Sequence, residues 1–234
     1  MLPTSLQLAM FDMAGTTVND QVEGDPLMVL GMMRAFEKAG IALDTVLIHK
    51  HRGKEKLEAV RTLLRESAAL QPHEIDRVAD TVYHDFLHEL ESNLAHISEI
   101  DGATETFRYL KSREIFVGVG SGFPTRIVEA IVSRLGWREN GLVDYIGSAE
   151  AVGVGRPHPK MIHDAMQRLG VADARQVVKI GDTVVDIQEG QNAGVWTIAV
   201  LTGSQTEGQL MAAKPDYILS SIRELPRVVT REQV

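Results

Sequence analysis

The chain has 234 residues, 44% hydrophobic and 24% charged, with a formal net charge of -8 and no cysteine. That composition excludes a disordered or fibrous chain, and the length suffices for one large domain or a core with a smaller inserted one. The missing cysteines remove disulfide, thiolate and cysteine-zinc chemistry, the acidic balance argues against a nucleic-acid partner, and no apolar run approaches the roughly 20 residues of a membrane span or forms a leader, so cytoplasmic residence is expected.

Leu6, Leu8, Met10 and Phe11 predict a buried strand that stops at Asp12, which the turn Met13-Ala14-Gly15-Thr16-Thr17 follows at once. A carboxylate at a strand's end lies where ligands bind in open α/β sheets, and it can serve as nucleophile, metal ligand or both. From about Val18 to about Ile100 the pattern turns helical. Leu27, Leu30, Met32, Met33 and Phe36 recur at helical spacing up to Gly40, then Leu57, Val60, Leu63 and Leu64, then Ile75, Val78, Val82, Phe86 and Leu90. A block of helices inserted after the first strand of an α/β pattern predicts a helical cap over residues 18–100, with residues 1–17 and 101–234 forming the core.

From Asp101 onward strands and helices alternate. A helix through Phe107 and Leu110 leads to the strand Ile115–Val119, the turn Gly120-Ser121-Gly122 and a helix through Ile127, Ile131 and Leu135. A short strand near Val143–Ile146 precedes Gly155-Arg156-Pro157 and a helix with Met161, Ile162, Ala165 and Leu169. The strand Val177–Ile180, the turn Gly181-Asp182-Thr183, a helix ending at Gly194, and strands at Thr197–Val200 and Tyr217–Leu219 complete the pattern. The expected fold is a three-layer, Rossmann-like α/β core on a parallel sheet.

Asp12, Ser121, Arg156, Asp182 and Asp186 all fall near the carboxyl ends of strands, where distant sequence positions share one crevice. Asp12 and Asp182 offer hard oxygen ligands suited to Mg²⁺, and Asp186, one turn on, can orient what they hold. Ser121, with the backbone N–H groups at Gly122, can cradle phosphoryl oxygens, and Arg156 adds permanent positive charge. Together these are the parts of phosphoryl transfer. Capping and ion-pair readings compete: Asp182 or Ser121 as helix caps, Asp186 as a first-turn acid favoured by the helix dipole, Arg156 in a surface ion pair.

The ordered set Asp12-Met-Ala-Gly-Thr-Thr, Gly120-Ser121-Gly122, Gly155-Arg156-Pro157-His-Pro159 and Gly181-Asp182-Thr183-Val-Val-Asp186 resembles the four motifs of the haloacid dehalogenase-like hydrolase superfamily. It spans essentially the whole chain, and Ala14, where a phosphatase of the superfamily would carry a second carboxylate, looks like the phosphonatase (phosphonoacetaldehyde hydrolase-like) branch. The resemblance implies an aspartyl-phosphate on Asp12, with Thr16 in the catalytic set, and Mg²⁺ held by Asp12, the Ala14 carbonyl, Asp182 and Asp186. It also implies a cap lysine that forms an imine with the substrate. Arg52-Gly53-Lys54-Glu55-Lys56 resembles the segment that carries that lysine, with Lys56 at the imine-forming position and Gly53 and Arg52 near the substrate. Arg52 stands where the branch has methionine and Ala59 where it has a histidine, so the substrate is left as a small phosphonate or phosphorylated metabolite.

Other readings stay open at this level. The chain could be a phosphomonoesterase like phosphoglycolate phosphatases, or a catalytically silent binding module; dehalogenation leaves the acidic motif at Asp182 unexplained. Lys54, Glu55, Lys56 and Glu58 fit the solvated start of an amphipathic helix equally well. His49, Lys50, His51 and Arg52 form either an anion-attracting cluster or a solvated loop. His84 and His88 lack a third ligand and read as polar-face residues. Met28, Met32 and Met33 read as core or cap packing, with a homodimer surface through the cap as the alternative.

Overall fold

The computed structural model describes residues 5–51, 55–67 and 70–229. In chain order the elements are β1 (Leu8–Asp12), β2 (Val18–Asn19), β3 (Gln21–Val22), β4 (Asp25–Pro26), α1 (Leu27–Lys38), α2 (Thr45–Lys50), α3 (Lys56–Ser67), α4 (Pro72–Ser92), β5 (Ser98–Glu99), α5 (Ala103–Ser112) and β6 (Phe116–Ser121). There follow α6 (Thr125–Arg134), β7 (Tyr145–Ser148), α7 (Ala149–Val152), α8 (Lys160–Leu169), β8 (Val177–Gly181), α9 (Val184–Ala193), β9 (Trp196–Val200), α10 (Glu207–Ala212), β10 (Tyr217–Leu219) and α11 (Leu225–Val229). Six strands form one sheet in the order β10-β9-β8-β1-β6-β7, every adjacent pair parallel. This is the Rossmann-like α/β core expected from the alternating pattern.

β1 is buried along its length, and its alternate side chains feed two cores, as the two-residue period of a strand requires. Ala9 and Phe11 pack with α5 and α6 through Phe107, Leu110, Ile127 and Ile131; Leu8 and Met10 pack with α8 through Met161, Ile162 and Ala165. The sheet leaves β1 toward β6 and β7 on one side and toward β8, β9 and β10 on the other. The strand order therefore reverses beside β1, where an open α/β sheet forms its ligand crevice. Register does the rest: Asp12 pairs with Gly120, and Phe11 with Ile180, so Asp12 lies level with Gly181 and next to Asp182.

The chain leaves this crevice through β2 and returns through β5, an antiparallel pair in which Val18 faces Glu99 and Asn19 faces Ser98. Between them α1, α3 and α4 bury Met32, Phe36, Val60, Leu64, Val82 and Phe86 together. The inserted segment is helical as read, with no strand between its helices among the described residues. The two-residue strands at its ends escape a periodicity argument, because nothing that short has a period. Met28 and Met32 are buried within the chain and Met33 is half-buried, which fits their packing role. Among the described residues no helix is long and apolar enough to cross a membrane.

Some boundaries differ from expectation. β6 runs on through Gly120 and Ser121, so the turn begins at Gly122, and β7 starts two residues late because Asp144 is spent bracing Val117 N–H with its side chain at 2.8 Å. Phe107 bridges the face of β1 to the turn that follows α6, edge-on to Phe11 at 5.1 Å and to Trp137 at 4.9 Å between ring centroids. Phe107→Ala should cost about 3–5 kcal/mol, read as a lower urea midpoint with a largely unchanged slope; a loss below about 1 kcal/mol would mean that the site behind β1 collapses freely.

Candidate active site

Three carboxylates meet at the crevice. Asp12 ends β1, Asp182 follows β8, and Asp186 opens α9; one oxygen of each lies within 4.8 Å of the others, and all three are buried. Glycine makes the room. Gly15 has φ +86°, and a methyl group there would stand 2.8 Å from Asp182 Oδ2; one at Gly203 would stand 1.9 Å away. Asp182 accepts hydrogen bonds from the Thr16 hydroxyl at 3.1 Å and the Ser204 N–H at 3.1 Å. Thr183, not Asp182, caps α9, and Asp186 completes the capping box through the Thr183 N–H at 3.3 Å. Asp186 thus stands in the first turn of α9, as its helix-dipole reading expects, and its other oxygen faces the acid cluster.

Two cations lie among these acids. Arg156 Nη1 donates to Asp12 Oδ1 at 2.5 Å and to Asp186 Oδ1, with its side chain only 14% exposed. This rules out a surface ion pair. Lys179, in the middle of β8, reaches Asp186 Oδ1 at 3.1 Å and Glu189 Oε2 at 3.0 Å, all three groups buried. Lys179 and Glu189 escaped the motif reading, although a lysine within the apolar run Val177-Val178-Lys179-Ile180 had to be either buried and paired or fatal to the strand.

The cluster's electrostatics follow from this count. Burial pushes Asp12 up to about 6 despite Arg156, and pushes Asp182 up to about 7, helped by the negative Asp12 and Asp186. Burial works against Asp186 too, but Arg156 and Lys179 outweigh it and hold that carboxyl at about 2. Fully ionised, the four buried acids Asp12, Asp182, Asp186 and Glu189 exceed the cations Arg156 and Lys179 by two charges. A divalent cation would neutralise that excess, and hard carboxylate oxygens suit Mg²⁺. Among the described residues no other group of three or more His, Cys, Asp or Glu side chains is close enough to hold a metal; His84 and His88 are exposed.

Beside the acids lies a cavity of about 320 Å³, lined in part by Asp12, Ala14, Lys56, Ser121, Gly122 and Arg156. Lys56, at the start of α3, is 4% exposed, so it does not begin a solvated helix face. A methyl group built at Gly122 would stand 3.3 Å from Lys56 Nζ and 3.6 Å from Arg156 Nη2. Both cations thus flank the bare backbone of Gly122, a cradle that a side chain at this position would narrow. Ser121 is 3% exposed and its hydroxyl accepts the Phe123 N–H at 3.1 Å, which fixes this loop. His49 and Lys50 also line the cavity. They end the six-residue helix α2, which Asp44 caps and which is too short to show a period; Lys50 and the buried His51 pair with Glu66. Ala59, facing inward from α3, is buried and carries no proton-transfer group. Arg52 and Gly53 lie outside the described residues. A broader depression of about 540 Å³ at the other end of the sheet, beside Arg175, Trp196 and Asp216, has none of the motif residues.

The comparisons with known proteins agree with this geometry. Residues 6–194 match the model of the haloacid dehalogenase-like hydrolases. A phosphonoacetaldehyde hydrolase of Latilactobacillus sakei subsp. sakei is 30% identical over 98% of this chain and 97% of its own, and one of Bacillus cereus is 31% identical over 87% and 78%. Among solved structures, a phosphonoacetaldehyde hydrolase like protein from Oleispira antarctica superposes with a TM-score of 0.79 at 22% identity, covering 96% of this chain and 91% of that one. A predicted phosphoglycolate phosphatase from Haemophilus somnus gives 0.79 at 20% identity over 97% and 99%, a likeness of fold. The chain belongs to the haloacid dehalogenase-like hydrolases and is similar to their phosphonatase-like branch.

Since Asp12 and Asp182 are raised in the fold, their contribution to stability without metal is present below about pH 4 and is lost as pH rises through about 6 to 7. Mg²⁺ held by these carboxylates would require the ionised pair, so the increase in Tm on adding Mg²⁺ should grow between about pH 5 and about pH 8. Thermal scans across that range check this; an increase independent of pH would contradict it.

Proposed function

We propose that this hydrolase moves a phosphoryl group from a small phosphonate or phosphorylated metabolite to Asp12 and then to water, with Mg²⁺ as cofactor and phosphonoacetaldehyde as the first substrate to test. The observation that carries the reading is the conjunction at one cavity of Asp12, the Gly122 cradle, the buried Lys56 amine and an alanine at position 14. The curated relatives named phosphonoacetaldehyde hydrolase support the same substrate class.

In this reading an Asp12 carboxylate oxygen attacks phosphorus in line. Arg156, now bonded to Asp12 and Asp186, lies within reach of the cradle at Gly122, so it can share its donors with the equatorial oxygens while Asp186 and Lys179 keep it aligned. Ser121 and the Gly122 backbone supply further donors. Asp12, the Ala14 carbonyl and Asp182 would hold Mg²⁺, with Asp186 orienting the set; when bound, the ion polarises the phosphoryl oxygens and offsets the excess negative charge. Thr16 keeps Asp182 in place through its hydroxyl.

A phosphonate has a carbon leaving group, which cannot depart as a free carbanion. Lys56 answers this: its neutral amine condenses with the substrate aldehyde, taking up a proton and releasing water to give a protonated imine, and as the P–C bond breaks its electron pair neutralises that imine to an enamine. Subsequent hydrolysis returns the amine. Arg52 and Gly53, a few residues before Lys56 in the sequence, are assigned to the substrate's approach. The phosphomonoesterase reading keeps one observation in its favour: Ala59 offers Lys56 no proton-transfer help.

Asp12→Asn should lower phosphoryl release from the preferred substrate by at least about 10³-fold, since an amide neither attacks phosphorus nor carries the ligand charge, while leaving the fold intact by circular dichroism; undiminished release would remove Asp12 from the chemistry. Borohydride added with phosphonoacetaldehyde should fix an adduct on Lys56 by peptide mass, absent from Lys56→Arg. Brisk hydrolysis of phosphate monoesters with no adduct would instead select the phosphomonoesterase.

A further inference from the structure

Alanine at position 14 leaves the second half of the proposed reaction without a group to take the proton of the hydrolytic water. The only carboxylates lining the 320 Å³ cavity, among the described residues, are Asp12 and Asp20. Asp12 is committed to phosphorus. Asp20 is 3% exposed and lies outside the Asp12–Asp182–Asp186 group.

Its backbone is braced on both sides. β2, ending one residue before it, is paired to β5, while β3, starting one residue after it, forms a hairpin with β4. The Asp20 carbonyl accepts the Leu27 N–H at 2.8 Å, which ties it to the start of α1. A carboxylate placed this way is fixed relative to the crevice, as proton transfer requires.

Asp20 also faces a second cavity, of about 100 Å³, that includes Gly15, Asp182 and Thr202 in its wall. Ala14, Asp20 and Ser204 line both cavities. The smaller one is polar, and at roughly 30 Å³ per molecule it has room for about three waters. The small side chain at position 14 lies on the boundary between this space and the cavity where phosphorus would sit, and Asp20 lies on that boundary too.

We propose that Asp20 is the general base of the hydrolytic half-reaction, drawing on water held in the smaller cavity; this rests on Asp12 being the phosphoryl acceptor. The Asp20 carboxylate takes one proton from a water as the water's oxygen bonds to phosphorus. The bond between phosphorus and the Asp12 oxygen breaks, and its electron pair restores the Asp12 carboxylate. The proton on Asp20 then leaves with the phosphate.

Acetyl phosphate isolates this step, because acetate departs without needing a proton. With Mg²⁺ and acetyl phosphate, rapid quench and intact mass should show wild type and Asp20→Asn gaining a phosphoryl group at similar rates. The variant should then lose it about 10²–10⁴-fold more slowly, so that phosphoenzyme accumulates. Asp20→Ala is the second variant, with circular dichroism and Tm to establish its fold, and Asp12→Asn should take up nothing. Loss of the phosphoryl group from folded Asp20→Asn or Asp20→Ala at the wild-type rate would overturn the role of Asp20. No phosphoryl uptake by wild type, or equal uptake by Asp12→Asn, would instead overturn the reading of Asp12, and the role of Asp20 with it.

Discussion

Four carboxyl groups are buried at one end of the sheet against one buried and one largely buried cation, and most of what is distinctive in this chain serves to make that arrangement tolerable. Moving one unpaired carboxylate out of water costs several kcal/mol even after relaxation, comparable to the whole stability of a domain. The fold meets this in two ways. Arg156 and Lys179 both engage Asp186 and hold its carboxyl low, while Asp12 and Asp182 are raised toward neutrality. A divalent cation would complete the balance, so metal affinity is a consequence of how the core is charged.

Geometry follows the same constraint. The acids converge only because β1 lies at the reversal of strand order, with Asp12 level with Gly181 across the sheet. Glycines at 15, 122 and 203 leave the space that carboxylates and phosphoryl oxygens need. The inserted helices then bring a buried amine to the cradle from the other side, through Lys56. Alanine at 14 carries no carboxylate beside a cluster already overcharged with acids. In the proposed reaction the work that such a carboxylate would perform falls to the inserted segment, at Lys56 and Asp20.

Much of this was legible in the sequence, and the reasons are specific. Asp12, Ser121, Arg156 and Asp182 sit in short local motifs at strand ends, and parallel strands bring such ends together whatever the details of packing. Helices of ten or more residues announced themselves by period, as α1, α3 and α4 did. What failed to show was short or long-range. α2 and the strands β2 to β5 are too brief to have a period. Lys179 and Glu189 matter through their pairing with each other and with Asp186, which register and helix placement decide; the lone clue was a charge inside an apolar strand. Asp20 belongs to no motif, and its position on the wall of two cavities is set by the folded crossover between β2 and β3. Lys56 shows the limit from the other direction: its neighbours Glu55 and Glu58 made a solvated helix start equally credible, and only the burial of its side chain separated the two.

The account turns on Asp12 accepting a phosphoryl group while Arg156 changes partners. A crystal structure grown with Mg²⁺ and beryllium fluoride tests this most directly, because fluoroberyllate on a carboxylate mimics an aspartyl-phosphate. The account predicts fluoroberyllate bonded to Asp12, metal density between Asp12 and Asp182, and Arg156 turned toward the fluorides beside Gly122. An unmodified Asp12, still bridged to Asp186 by Arg156 at saturating Mg²⁺ and beryllium fluoride, would contradict it.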